Sequence, residues 1–218
     1  MFNFALQLQK MAFSEKQIQI INTAEKLFAC KGFDGTSVRD IAEEAGVNIA
    51  MISYYFGSKE KLMQALFKER TDHIKLKVET LLKDESLSPL EKIYALSDDY
   101  IERIMHKLQF HKIMVYEQML EKNPAVTEMI SELKKENAEY ITKLIKDGQK
   151  RGAFKKDIDI VMLMNTLIGT VTQTVLNQNY YKFYYNLQLS DEALQERLRK
   201  KLSSHIKTIF KAILSYEA

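Results

Sequence analysis

The side chains of this 218-residue chain that could do patterned chemistry cluster between Thr36 and Lys59. They are hydroxyls, amides and cations rather than a nucleophile with its base. Ser37, Asn48 and Ser58 each stand where a helix is expected to begin, with Thr36 as the alternative cap beside Ser37. Each brings unbonded backbone amides and a polar side chain to one point, a setting that attracts phosphate. Arg39 and Lys59 add cations, and Tyr54 and Tyr55 add phenolic hydroxyls of long reach. Between them, Ile49, Ala50, Met51 and Ser53 form a mostly apolar run of the kind that fits base edges and thymine methyl groups. This is the chemistry of binding a polyanion, not of breaking a bond.

Catalytic patterns are missing. The four histidines, His73, His106, His111 and His205, are preceded three residues earlier by Arg70, Arg103, Leu108 and Leu202, so no Glu-x-x-His metal pair exists. No phosphate-binding glycine loop, nucleophile elbow or Cys-x-x-Cys occurs. The single cysteine, Cys30, permits no internal disulfide and is expected as a small buried or half-buried filler. No enzyme, metal or cofactor is expected. The leader "MFNFALQLQK" lacks a basic start and a long apolar run, and the apolar stretch Val161–Leu176 is broken by Asn, Thr and Gln. The expectation is a cytoplasmic protein with no membrane partner.

The elements that must position the early cluster are helices. Seven glycines and two prolines are too few for a turn-rich β fold, and no convincing strand pattern appears. Glycine follows expected helix ends at Gly32, Gly46 and Gly57, and proline opens expected helices at Pro89 and Pro124. Ser14 with Gln17 forms a capping box before a helix ending at Gly32. A short helix follows through Gly46, a third from Asn48 to Phe56, and a long fourth from Ser58. Further helices are expected at 89–106, 110–121, 124–148, 157–177 and from Ser190 onward. The fold class is all-α, with about nine helices.

The second and third helices have the build of a helix-turn-helix. Ala42 allows close packing, Gly46 is free to take positive φ, and Val47, Ile52 and Phe56 pin the second helix. Those inward positions force Ile49, Ala50, Met51, Ser53, Tyr54 and Tyr55 outward. An outward surface that apolar calls for a cover, and a DNA major groove is such a cover.

The stretch "TAEKLFACKGFDGTSVRDIAEEAGVNIAMISYYFGSKEKL" closely resembles the DNA-binding domain of TetR-family transcriptional regulators. The family's pattern appears as Leu27-Phe28 with Gly32-Phe33, then Thr36-Ser37-Val38 with Ile41-Ala42 and Ala45-Gly46-Val47. It continues as Tyr54, Phe56, Ser58-Lys59-Glu60 and Leu62. The resemblance implies nine or ten helices, a homodimer built on the last two, and a ligand cavity in a helical body. Departures fall at Ile49, Ala50 and Ser53, where family members commonly carry Lys or Arg, Gly and Tyr. Residues 1–60 hold six cations against seven acids, a net charge of −1. DNA binding is therefore expected to rely on helix dipoles and hydroxyls, with a shallow salt dependence.

The expected organisation is an extension at 1–13, a DNA-binding head at 14–58 and a ligand-binding and dimerisation body at 59–218. Met105, His106, Met114, Tyr116, Met119, Met162 and Gln173 are the candidate pocket residues, as soft side chains with a few polar handles suited to a hydrophobic small molecule. A stripe of Leu194, Leu198, Leu202, Ile206, Ile209 and Ile213 is the candidate dimer face, with packing inside the chain as the alternative. The tyrosine-rich stretch 177–192 is expected as a link. The functional expectation is a repressor that binds a palindromic operator as a homodimer and is released by a mainly hydrophobic ligand. Control by a protein partner, or an interaction module without DNA binding, are the alternatives.

Overall fold

The computed structural model describes residues 13–216, apart from the side chains of residues 72 and 73. The expected extension at 1–13 thus lies outside the described residues except for Phe13. Ten helices and no strand occur among the described residues: α1 Glu15–Lys31, α2 Val38–Glu44, α3 Ile49–Phe56, α4 Lys59–Lys83, α5 Pro89–His106, α6 Leu108–Leu120, α7 Pro124–Lys150, α8 Ile160–Leu176, α9 Gln178–Tyr184 and α10 Asp191–Leu214.

The caps are those the sequence advertises. Ser14 and Gln17 close a reciprocal box at the start of α1, and Ser88 and Glu91 do so at α5, where Pro89 takes the first helical position. Gly46, in the turn between α2 and α3, adopts φ +61°, a conformation that disfavours any residue with a Cβ.

The chain clusters into two compact units, one of residues up to Thr71 with Gln109–Ser131, the other of Asp72–Leu108 with Glu132–Ala218. The first unit takes in the opening turns of α4 and nearly all of α6. Its core is Ile20, Ile21, Ala24 and Phe28 of α1 with Ile41, Ile52, Phe56, Leu62 and Leu66. Within it, Glu25 and Arg70 form a buried ion pair at 2.6 Å, and Asn22 accepts a further hydrogen bond from Arg70. Cys30 is exposed on α1, contrary to the expected buried filler: its neighbour Phe28 takes the inward position.

In the second unit α5, α8 and α10 share one core built on Ile93, Leu96, Ile101, Leu163, Val171, Leu202 and Ile206. Asp98 of α5 ties to α10 by hydrogen bonds from Ser203 and Lys207, both at 2.6 Å. At the end of α7, the buried ring of Phe154 lies on Gly148, where a Cβ would meet it at 2.2 Å.

Two sequence expectations change here. The tyrosine-rich link contains the short helix α9. More consequentially, Leu194, Leu198, Leu202 and Ile206 are no more than 3% exposed and are spent on the chain's own core. The stripe on α10 is that helix's inward face. Ile209 is half-buried, and Ile213 alone of the six is exposed. Among the described residues no single helix is long and apolar enough to cross a membrane.

Candidate nucleic-acid interface and body cavity

The turn entering α3 is built by short-range bonds. Val47 donates its amide to the Ala42 carbonyl at 2.9 Å, which folds the chain back across α2. Asn48 then caps α3, its Oδ1 accepting the Ala50 amide at 2.8 Å. With Ile52 and Phe56 facing the core, the opposite face of α3 is left uncovered. Ile49 is 45% exposed and Tyr54 83%. Asn48, Ala50 and Ser53 are exposed with them, and Met51 is half-buried. Tyr55 is half-buried too, its ring edge-on to that of Tyr54 at 5.2 Å. An eight-residue helix thus presents an isoleucine, an alanine, a serine and a tyrosine to solvent, the arrangement expected of a surface that reads a groove.

Three of the expected DNA contacts do other work. Thr36 is fully buried, and its hydroxyl donates to the Gly32 carbonyl at 2.9 Å. The Lys59 ammonium donates to the carbonyls of Phe33 at 2.8 Å and Thr36 at 3.0 Å, and stands 4.1 Å from the Phe33 ring centre. It satisfies the carbonyls between α1 and α2 instead of reaching outward. The Ser37 hydroxyl donates to Asp40 at 2.6 Å and accepts the Asp40 amide at 3.1 Å. Those bonds from Ser37 hold the Asp40 carboxyl below the usual carboxylate range, so the α2 N-terminus already carries its own anion. Arg39, one residue into α2, remains exposed.

The turn between α1 and α2 is also held from α6. The buried carboxylate of Glu117 accepts the Phe33 amide at 3.2 Å. Burial pushes the Glu117 carboxyl up, the Phe33 amide and Lys59 oppose that shift, and Asp34 adds to it. Beside it, Gly32 takes φ +74°, and a Cβ there would meet the Tyr116 ring at 2.8 Å. Sequence reasoning missed this grip. Glu117 and Ile113 lie four apart on α6 with both side chains inward, a phase that apolarity alone does not reveal.

The second unit holds a cavity whose walls are not the candidate pocket residues. This cavity of about 100 Å³ is floored by Ile93, Leu96, Leu163, Leu167 and Phe210. Met164 also lines it, while Tyr100, Arg103, Asn137 and Tyr140 supply polar atoms. None of the seven candidate pocket residues is among the lining residues. Met119 is 80% exposed, and Tyr116, Met162, His106 and Gln173 are exposed as well. Met105 and Met114 are half-buried elsewhere. A readable signal did exist: Ile93, Leu96, Tyr100 and Arg103 repeat at helical spacing, which puts one cation on an apolar face.

An exposed, groove-sized helix after a tight glycine turn, joined to an all-helical body with an internal cavity, defines a helix-turn-helix DNA-binding regulator. Family comparison agrees. Residues 20–66 match the model of bacterial regulatory proteins of the tetR family. Residues 89–206 match the tetracyclin repressor-like C-terminal domain, so the chain belongs to the TetR family of transcriptional regulators. It is 23% identical over 171 residues to the HTH-type transcriptional repressor KstR2 of Mycolicibacterium smegmatis, covering 78% of this chain and 80% of that protein. It is 25% identical over 162 residues to the fatty acid metabolism regulator protein of Bacillus subtilis, covering 73% and 81%. The fold matches the fatty acid degradation regulator FadR of Bacillus halodurans with a TM-score of 0.69 at 23% identity, over 90% of this chain and 96% of that one.

Proposed function

We propose that this regulator is a homodimeric repressor that binds a palindromic operator through α3 and is released when a mainly hydrophobic small molecule occupies the body cavity. The observation that carries the DNA reading is the uncovered face of α3, where Ile49 and Tyr54 stand open although the same helix buries Ile52 and Phe56. In the groove, Asn48, Ile49, Ala50 and Ser53 meet base edges, and Tyr54 and Arg39 meet phosphates. The apolar floor of the cavity and relatives named for fatty-acid metabolism and degradation support an apolar effector.

Three covalent routes join the units, one of them α7, which passes from the first unit to the second after Ser131. The other two are α4, continuous from Lys59 to Lys83, and the single residue Lys107 between α5, which carries Arg103, and α6, which carries Glu117. Effector binding favours the DNA-incompetent population by its greater affinity for it, and these routes carry the difference to the turn before α2. With a selected operator duplex, sedimentation of the complex should give two chains per duplex, and an effector found by screening should weaken binding at least tenfold. One chain per duplex, or no effector that shifts the affinity, would contradict this account and favour control by a protein partner.

A further inference from the structure

We propose that the effector is an amphiphilic monocarboxylate, its acyl portion in the apolar floor and its carboxylate held by Arg103. This rests on the cavity being the effector site. Among the described residues that line the cavity, Arg103 is the one that carries a full charge and none is an acid. A cation placed against an apolar hollow is costly unless something answers it, and its partner here is incomplete. Only Nε of Arg103 is committed, to Asp99 at 2.8 Å, and partners for its two terminal nitrogens are absent among the described residues. Asp99 in turn faces Lys77 at 3.8 Å, so two cations share one carboxylate and the cluster keeps a net positive charge. The guanidinium carbon lies 5.9 Å from the Tyr100 ring centre, which restricts the plane of the fork.

A planar fork with a free edge matches a carboxylate in two parallel hydrogen bonds, a geometry neither an alcohol nor an amine can use. Tyr100 and Asn137 also line the cavity as further hydrogen-bonding groups, and burial pushes the Tyr100 phenol up, keeping it a donor. Size follows from the volume. At about 10–15 Å³ for each water-sized body, the 100 Å³ cavity holds roughly eight non-hydrogen atoms. That suits an acyl chain of about that length and excludes a long chain without expansion.

The test is calorimetric titration of the full chain, without DNA, with octanoate, octanol and octylamine. Octanoate should bind at least tenfold more tightly than octanol, and octylamine more weakly than either. In Arg103→Met the octanoate advantage should vanish while octanol affinity holds, and Arg103→Lys should restore part of it. Circular dichroism of each variant checks that the fold is retained. Equal affinity for octanoate and octanol, or an octanoate preference that survives Arg103→Met in folded protein, would overturn the carboxylate assignment while leaving the cavity as an effector site. Binding of none of the three at millimolar concentration would overturn both.

Discussion

Glu117 is the residue on which the head's geometry turns. Its carboxylate and the Lys59 ammonium hold the amide and the carbonyl of the same residue, Phe33, so one peptide turn is clamped from both sides. Replacing Glu117 by Leu leaves the Phe33 amide buried and unpaired, a loss of about 1–3 kcal/mol, whereas Glu117→Gln keeps an acceptor in place. The pH dependence has a definite sign. Because burial raises the Glu117 pKa above its unfolded value, its contribution is fully present below the ordinary carboxylate range and is lost as pH rises through the raised value. The stability of wild type relative to Glu117→Gln should therefore increase as pH falls from neutral. His111 on the same helix, its pKa lowered by burial, titrates in both proteins and cancels in that difference. Thermal melts at a series of pH values measure it; a difference that stays flat would mean the carboxyl is not held as described.

At the scale of elements, α10 shows what periodicity does and does not convey. Its spacing of Leu194, Leu198, Leu202 and Ile206 marks an apolar face correctly, but a face has no label for its partner: all four are buried within the chain, Leu202 and Ile206 in the core shared with α5 and α8. Leu198→Ala should accordingly cost about 2–5 kcal/mol of folding stability and leave the dissociation constant of the proposed dimer unchanged. Dissociation into folded monomers without a drop in Tm would restore α10's stripe to the interface. The caps and glycine turns were legible because they are local: Ser14, Asn48, Ser88 and Gly46 each act within four residues. Thr36, Lys59 and the pocket were not. Lys59 meets carbonyls 23 and 26 residues away, a contact that exists only once α1 and α4 pack. In α6 the usual pattern is inverted, with His111 and Glu117 buried and Met119 in solvent, so a reading that sends apolar residues inward selects the wrong side chains.

For the whole molecule the net charge of +3 hides an N-terminal segment, residues 1–60, of net −1, and one of its six cations, Lys59, is already engaged within the head. Specific binding must then come from shape, hydroxyls and the apolar surface of α3 more than from released counterions. The logarithmic salt slope should fall well short of the roughly −10 seen for a strongly cationic repressor; a slope that steep would place the interface on other residues. The most direct measurement is selection from a random duplex pool with the full chain, set against an Asn48→Ala, Tyr54→Ala double variant. The account predicts enrichment of one palindrome by the wild type and its loss in the folded variant. A folded wild type that enriches nothing, or a variant that enriches the same palindrome, would contradict the assignment of α3 as the element that reads DNA.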